Sequence, residues 1–441
     1  MMTETLKQEF RAKEITARQA AALVQSGQTV YIGACTSYAR GLTDALAERS
    51  EELDNITLAC SNIFKPLTPL DSKHREAFRL NTYFMGAEER RGLAMGVTDF
   101  TSVHLSQVDQ WCLEICPADV AFFDVSLPDE NGYMSFSASG CCMHTFVRDK
   151  AKMIVLQINR FAPYVYGDGN LIHISEADYC VFLDIPKEEV SDVPDENDRE
   201  IWRMSEYLLD QIPDGSCIQL GIGGVASAVG YGLKDKNDLG AHTELMTNSL
   251  MYLMKQGVVN NSRKNYMRGR TVVGFAFGTK ELYDFLDHNE QMYFGPFPVV
   301  NNPLNIARNN NMISVNTAVA IDLTGQVAAE SIGLRQYSGT GGQADYVRGA
   351  QLSRGGKSFL ALKSTVGTDK GGAPVSRIVP AFSAGSIITT PRSDVQFVCT
   401  EYGCVNLKLL SMRDRVRAMI SLAHPDCRPQ LTAEAKRLNL L

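Results

Sequence analysis

The sequence predicts an α/β fold of two duplicated, open domains, each with a mainly parallel sheet. Three observations predict it. Short, continuous apolar runs alternate with helical patterns along the chain, as in parallel strands buried on both faces. The pattern stops at an acidic, proline-bearing segment and then restarts. Segments of the second half also match segments of the first.

In order along the chain, residues 14–26 read as an amphipathic helix with Ala20, Ala21, Leu23 and Val24 on one face. Thr29-Val-Tyr-Ile32 reads as a strand ending at Gly33, followed by a helix around Leu42–Glu48 and a strand at Ile56-Thr-Leu-Ala-Cys60. Further strands are expected at Val120–Val125, Met153–Ile158 and Tyr179–Leu183. Pro186 to Glu200 is acidic, carries two prolines and has little to bury, which sets the domain boundary. The expected division is an N-terminal domain over 1–185, a linker over 186–200 and a C-terminal domain over 201–441. Across that boundary, Gly27–Gly33 matches Gly215–Gly221, and Leu53–Asn62 matches Leu239–Asn248. Phe84-Met-Gly86 likewise matches Ala276-Phe-Gly278. In this alignment Glu244 stands where the first copy has Leu58, and a carboxylate in a leucine's place needs a reason, since burying it unpaired is costly.

Composition narrows the function. The chain has 441 residues, 44% hydrophobic and 21% charged, enough for two sizeable cores. A net charge of −7 argues against a nucleic-acid partner but leaves a phosphorylated ligand open, because local basic clusters decide that. No apolar run approaches the roughly 20 residues that span a bilayer, and Met1–Phe10 lacks the apolar core of a signal peptide. Eleven cysteines without a Cys-x-x-Cys pair read as buried free thiols, so a reduced, cytoplasmic protein is expected. The seven histidines show no metal-ligand spacing, and no metal is expected.

One segment concentrates the chemistry. An apolar strand runs into Gly221-Ile-Gly-Gly224, a small-residue helix follows, and Glu244 sits in the next strand. Glycines there let a bulky ligand approach the backbone, and a helix N-terminus offers N–H groups to an anion. Gly221-x-Gly223-x-x-Ala226 followed by Glu244 also fits a dinucleotide fingerprint. A tight turn without ligand, a dinucleotide site and a site for another phosphorylated ligand all remain open on this motif alone. A second glycine loop, Tyr337-Ser-Gly-Thr-Gly-Gly-Gln343, leads into another helix and suits a ligand gripped from two sides. Arg348, Arg354, Lys357 and Lys363 nearby could pair with phosphates, although such charges are more often a solvated surface. Glu401, after the strand Val395–Cys399, and Glu330 are further carboxylates for which a hydrogen-bonding role is the plainer reading. His242 shares a strand face with Glu244 and either orients that carboxylate or, the plainer reading, is a satisfied strand histidine.

Taken in order, several motifs resemble the acetyl-CoA hydrolase/transferase family, in its 4-hydroxybutyrate and butyryl-CoA:acetate CoA-transferase branch. They are Gly221-Ile-Gly-Gly224, His242-Thr-Glu-Leu245, Asp322–Val327, Gly341-Gly-Gln-Ala-Asp345, Ser376–Pro380, Thr400-Glu-Tyr-Gly403 and Ala423-His-Pro-Asp426. Pro128–Tyr133 and Ile172–Ser175 extend the resemblance into the N-terminal half. It implies a class I CoA-transferase with CoA held at the cleft between two α/β domains, a homodimer or tetramer, and no cofactor beyond coenzyme A as substrate. The catalytic glutamate maps onto Glu244 and a second active-site acid onto Glu401. CoA contacts map onto Gly221, Ile222, Gly223, Gly224, Val225, Gly341 and Gly342, with Asn316 and Lys363 in addition. Two departures, Thr247-Asn-Ser249 where relatives carry Ser-Asp-Gly and Thr36-Ser-Tyr38 where they carry a Gly-Glu-Pro-like turn, bear on the choice of acyl group.

The implied chemistry suits a positioned carboxylate. Attack by Glu244 on an acyl-CoA gives a mixed anhydride and CoA thiolate; the thiolate then takes the glutamyl carbonyl, leaving a glutamyl–CoA thioester and the free acid. An incoming carboxylate reverses both steps, so the kinetics are ping-pong, with oxyanions stabilised by the amides of Gly341–Gln343. The expected partners are a short-chain acyl-CoA, butyryl-CoA or 4-hydroxybutyryl-CoA, and acetate. The same site in a hydrolase would admit water. A dinucleotide-dependent oxidoreductase leaves the second glycine loop unexplained, and a non-catalytic CoA-binding protein leaves Glu244 unexplained.

Overall fold

A computed structural model describes residues 2–441. The chain forms two compact units. The first runs up to Ser191 and takes in Val272–Val300; the second comprises Asp192–Thr271 and Asn301–Leu441. A single break at 186–200 therefore misses the return of residues 272–300 to the first unit. Backbone bonds hold that return in place, with Phe294 N–H donating to Tyr166 O at 2.8 Å and the Ser139 hydroxyl donating to Ala276 O at 3.2 Å. Nor is the acidic segment a loose spacer. Lys187 is buried in the first unit, while in the second Asp192 accepts from the Ser249 amide and the Tyr231 hydroxyl. Asp198 then caps the helix Arg199–Leu209.

The first unit holds strands β1 (Thr29–Ala34), β2 (Ile56–Ser61), β3 (Phe78–Thr82), β4 (Thr98–Phe100), β5 (Val120–Val125), β6 (Met153–Ile158) and β7 (Tyr179–Phe182). Their order is β4-β3-β2-β1-β5-β6-β7, and every neighbouring pair is parallel. β5 is buried at every position, which is why it reads as an apolar run, interrupted only by Asp124, rather than an alternation. One face carries Val30, Ile32, Leu58, Leu80, Phe122 and Val155 against Ala20, Val24, Leu42 and Leu46, each large apolar side chain contributing about 1.5–3 kcal/mol. The helix expected over 14–26 is shorter, Ala17–Ala22. Thr16 and Gln19 close a capping box at its start, and its end is set by Leu23.

The second unit holds β8 (Cys217–Leu220), β9 (Gly240–Met246), β10 (Met312–Thr317), β11 (Lys357–Ala361), β12 (Phe397–Thr400) and β13 (Gly403–Asn406). They lie in the order β9-β8-β10-β11-β12-β13, parallel through β12, with β13 folding back antiparallel. This repeats the order β2-β1-β5-β6-β7 of the first unit, as duplication predicts. The registers correct one detail of the alignment. Val30 pairs with Leu58, whereas its counterpart Ile218 pairs with Ala241, so the ladder position of Leu58 belongs to Ala241 and not to Glu244. A bulge between Tyr31 and Gly33 in the first unit slips the far end of that ladder. In both units the strand order reverses beside the first strand of the repeat, the point where doubly wound sheets open a crevice beyond the strand ends.

Candidate active site

In the second unit that crevice lies beyond β8 and β10. β8 runs directly into Gly221, and Gly223, at φ +120°, caps the helix Gly224–Gly232. A Cβ on Gly221 would stand 3.1 Å from Asn316 Oδ1 and 3.2 Å from the Val315 carbonyl oxygen, so the turn needs glycine to pass the end of β10. Ile222 is 59% exposed and Val225 is buried, so Val225 can offer a ligand only its backbone. Asn316 is held by reciprocal amide bonds with Gln219 at 3.1 and 3.2 Å and by Ser314 at 2.9 Å. The free N–H groups of the helix start, beside the open turn, favour an anion.

Glu244 lies in β9, where it is the one position not fully buried. Its Oε2 accepts from Asn301 Nδ2 at 2.9 Å, and the carboxylate also accepts from the backbone N–H of Gly342. Gly342 is the N-cap of the helix Gln343–Leu352, so the carboxylate faces a helix N-terminus. Any side chain on Gly342 would overlap Glu244 Oε2 and Asn301 Nδ2. Gln343 ties this loop to the crevice, donating to Thr317 O at 2.8 Å and accepting from Thr390 at 3.0 Å. A Cβ on Gly223 would in turn lie 3.7 Å from Thr317. The two glycine loops, Asn316 and Glu244 thus belong to one contiguous neighbourhood of the second unit.

The environment tunes the acid. Burial pushes the Glu244 carboxyl up to about 7; the Asn301 bond opposes this, the nearby Asp345 charge adds to it, and the Gly342 amide opposes it. A carboxylate poised there, with two neutral donors on it, suits attack on an electrophile or proton transfer. It is less available to a ribose, the role that the dinucleotide reading requires.

The other predicted residues take plainer places. Glu401, in the turn between β12 and β13, is buried and accepts from the Ser364 backbone amide at 2.9 Å and from the Ser364 hydroxyl. Lys363 is committed to Asp198 at 2.7 and 2.9 Å and to Glu200 at 3.0 Å, so it is not the unengaged phosphate ligand that its position suggested. Arg348 pairs with Asp394 at 2.9 Å, and Lys357 donates to Gln211. Glu330 accepts from Gln336 and Thr340, bracing the loop that leads to Gly341, which sits at φ +60°. His242 is fully buried, stacks against Tyr266 at 5.9 Å and bonds Asn309 at 3.2 Å. Among the described residues no group of histidine, cysteine and carboxylate side chains is arranged to hold a metal ion, and no helix is long and apolar enough to cross a membrane. A cavity of about 280 Å³ among Val319, Ile332, Val366, Arg377, Val379 and Phe382 contains none of the predicted site residues.

Asn301 was not found from sequence. The loop Asn301-Asn-Pro303 reads as a polar turn, and one asparagine explains it: Asn302 caps the helix Pro303–Ala307 by accepting from Leu304 N–H. The second asparagine was the available signal, because only one is needed for the cap.

Residues 2–191 match the acetyl-CoA hydrolase/transferase N-terminal domain, and residues 278–435 match the acetyl-CoA hydrolase/transferase C-terminal domain. The succinyl-CoA:cyclohexane-1-carboxylate CoA transferase of Geobacter metallireducens is 38% identical over 439 residues, covering 98% of this chain and 97% of that protein. The butyryl-CoA:acetate CoA-transferase of Anaerostipes caccae is 37% identical over 445 residues, covering 99% and 98%. Among solved structures, RipA from Yersinia pestis superposes with a TM-score of 0.92 at 34% identity, covering 99% of this chain and 100% of that one. The chain therefore belongs to the acetyl-CoA hydrolase/transferase family.

Proposed function

We propose that the protein is a CoA-transferase that moves CoA between a short-chain acyl-CoA and acetate by a ping-pong mechanism, with Glu244 as the nucleophile. The observation that carries this reading is the setting of Glu244. Its carboxylate lies beside an open glycine turn, on the N-terminus of a ten-residue helix, with Asn301 fixing its Oε2. Similarity to curated enzymes named for butyryl-CoA with acetate, and for 4-hydroxybutyrate, supports the substrate class.

In this mechanism the Glu244 carboxylate attacks the thioester carbonyl and expels CoA thiolate, forming an acyl–glutamyl anhydride. The thiolate attacks the glutamyl carbonyl and releases the free acid, leaving CoA on Glu244. Acetate then attacks that thioester, and the steps run in reverse to acetyl-CoA. Asn301 Nδ2 and the Gly342 amide, which meet the carboxylate in the resting state, lie where the glutamyl oxyanion develops and can stabilise it. The Gly221–Val225 turn takes an anionic part of CoA, and binding energy from that distant part of the substrate lowers the barrier at the reacting carbon.

The test is trapping. Incubation with butyryl-CoA followed by borohydride reduces a glutamyl thioester to an alcohol, a loss of about 14 Da at one side chain. Localisation of that loss to Glu244 is the expected result. Turnover of butyryl-CoA at a rate independent of acetate, with no trapped residue, would instead make the protein a hydrolase.

A further inference from the structure

Cys399 and Cys404 stand apart from the other cysteines. They are directly opposed in the antiparallel ladder of β12 and β13, one rung from the pair Thr400–Gly403 that closes the turn carrying Glu401. Directly opposed residues in such a ladder point to the same face and have Cα atoms about 4.5–5.5 Å apart, inside the ~4.4–6.8 Å window a disulfide requires. Cys404 is also the one cysteine that is not buried among the described residues, and it lies on the edge strand. An oxidant can reach it while its partner waits beneath. The Cys399 thiol donates to the Cys404 sulfur, which holds the Cys404 thiol below its ordinary value; burial opposes this, and the charge of Lys357 reinforces it. The less buried member is therefore the better nucleophile of the two.

We propose that Cys399 and Cys404 are a reversible dithiol–disulfide site, oxidised by peroxide, that staples the base of the Glu401 turn. The chemistry balances in two steps. The Cys404 thiolate attacks hydrogen peroxide, breaking the O–O bond and giving a sulfenic acid and hydroxide. The Cys399 thiol then attacks the sulfenic sulfur, forming the S–S bond; the displaced hydroxide takes the Cys399 proton and leaves as water, while the proton Cys404 lost on ionising neutralises the hydroxide of the first step. A disulfide that closes so short a turn is readily reduced, as a reversible site requires. The turn it closes is anchored in the fold, because Glu401 holds both the backbone and the hydroxyl of Ser364, next to Lys363. This inference stands independently of which reaction the enzyme catalyses.

The experiment is peptide mapping of the intact protein after brief exposure to hydrogen peroxide, unfolding and alkylation with iodoacetamide. Both cysteines fall in one tryptic peptide, Ser393 to Lys408. The expected result is a loss of about 2 Da in that peptide with no alkylation, reversed by dithiothreitol, while the other cysteines alkylate normally. Cys404→Ser should abolish the loss, and Cys399→Ser should leave a sulfenic acid on Cys404 that dimedone captures. The proposal is overturned if both thiols alkylate after peroxide, if Cys404 proceeds to sulfinic acid without a crosslink, or if either cysteine pairs elsewhere.

Discussion

A carboxyl held at about 7 makes the first half-reaction depend on pH in a way that an ordinary glutamate would not. In the proposed mechanism only the ionised form attacks the thioester. With a midpoint of about 7, roughly 3% of Glu244 is ionised at pH 5.5 and roughly 90% at pH 8, a rise of about 30-fold. A glutamate at its ordinary value would already be about 90% ionised at pH 5.5, and its rate would rise by only about a tenth over the same range. The assay is a single turnover of enzyme with butyryl-CoA, quenched into borohydride and scored for reduced Glu244. Two variants sharpen it, because the neighbours act in opposite directions. Asn301→Ala removes a donor that favours the charged form and should move the midpoint above that of the parent. Asp345→Asn removes a like charge and should move it below. A flat profile from pH 5.5 to 8 with Glu244 still trapped, or both variants shifting the midpoint in the same direction, would refute the reasoning.

Three further outcomes are expected. Gly342→Ala forces a methyl group into the space of Glu244 Oε2 and Asn301 Nδ2, so the rate of thioester formation should fall on the order of 10²-fold with an unchanged circular dichroism spectrum, checked by the same trapping assay. Lys187→Met leaves Asp124 as a buried, unpaired charge, which should cost about 3–5 kcal/mol, read as a lower unfolding midpoint that a second substitution, Asp124→Asn, partly restores. His144 is fully buried with no hydrogen-bond partner for either ring nitrogen among the described residues, and burial, aided by Lys187, pushes it down to about 3. Its unfolded form takes up a proton as pH falls below its ordinary value while the folded form does not, so stability is lost progressively from about 6.5 towards 3. His144→Leu should therefore gain about 2 kcal/mol on the parent between pH 7.5 and 5, measured by urea unfolding at each pH.

What was legible in the sequence was whatever burial alone decides. Val120–Val125 and Met153–Ile158 are strands at the expected residues because strands covered on both faces are apolar almost throughout, with Asp124 and Gln157 bonded to each other as the exceptions. The glycine turn after β8 was legible because passing Asn316 so closely leaves no space for a side chain. β3 was not, since Phe78-Arg-Leu-Asn-Thr82 has polar residues in its interior, and β4 is three residues long. The state of the charges was equally hidden. Lys363 and Arg348 look like phosphate ligands in a basic stretch, yet their partners Asp198 and Asp394 are brought in by tertiary folding. Asn301 belongs to the same class, for its role depends on β9 lying alongside, which no local pattern records.

The two copies of the repeat show how one architecture comes to hold a candidate site once and not twice. In the first unit, the strand order reverses between β1 and β5, and the space past their ends is filled from within. The Lys187 ammonium donates to Thr36 O just after β1 and pairs with Asp124 on β5, whose other oxygen takes Gln157 at 2.6 Å and Asn159 at 3.1 Å. Both carboxylate oxygens there have donors, and the Asp124 and Lys187 side chains are 1% and 6% exposed, so a ligand would have to break a buried ion pair to enter. In the second unit the equivalent space past β8 and β10 is bordered by glycine and by amides already satisfied among themselves, Gln219 with Asn316. No ammonium fills it among the described residues, and the exposed turn Ile222–Gly223 leaves the first N–H groups of a helix facing outward. Duplication supplied the same crevice in both copies. Polar side chains closed the first from inside, while glycines kept the second open, with Glu244 held at its edge by a donor pair rather than by a counter-charge. In the proposed mechanism a counter-charge would stabilise the resting carboxylate and blunt its attack, whereas two neutral donors hold it in place without a counter-charge.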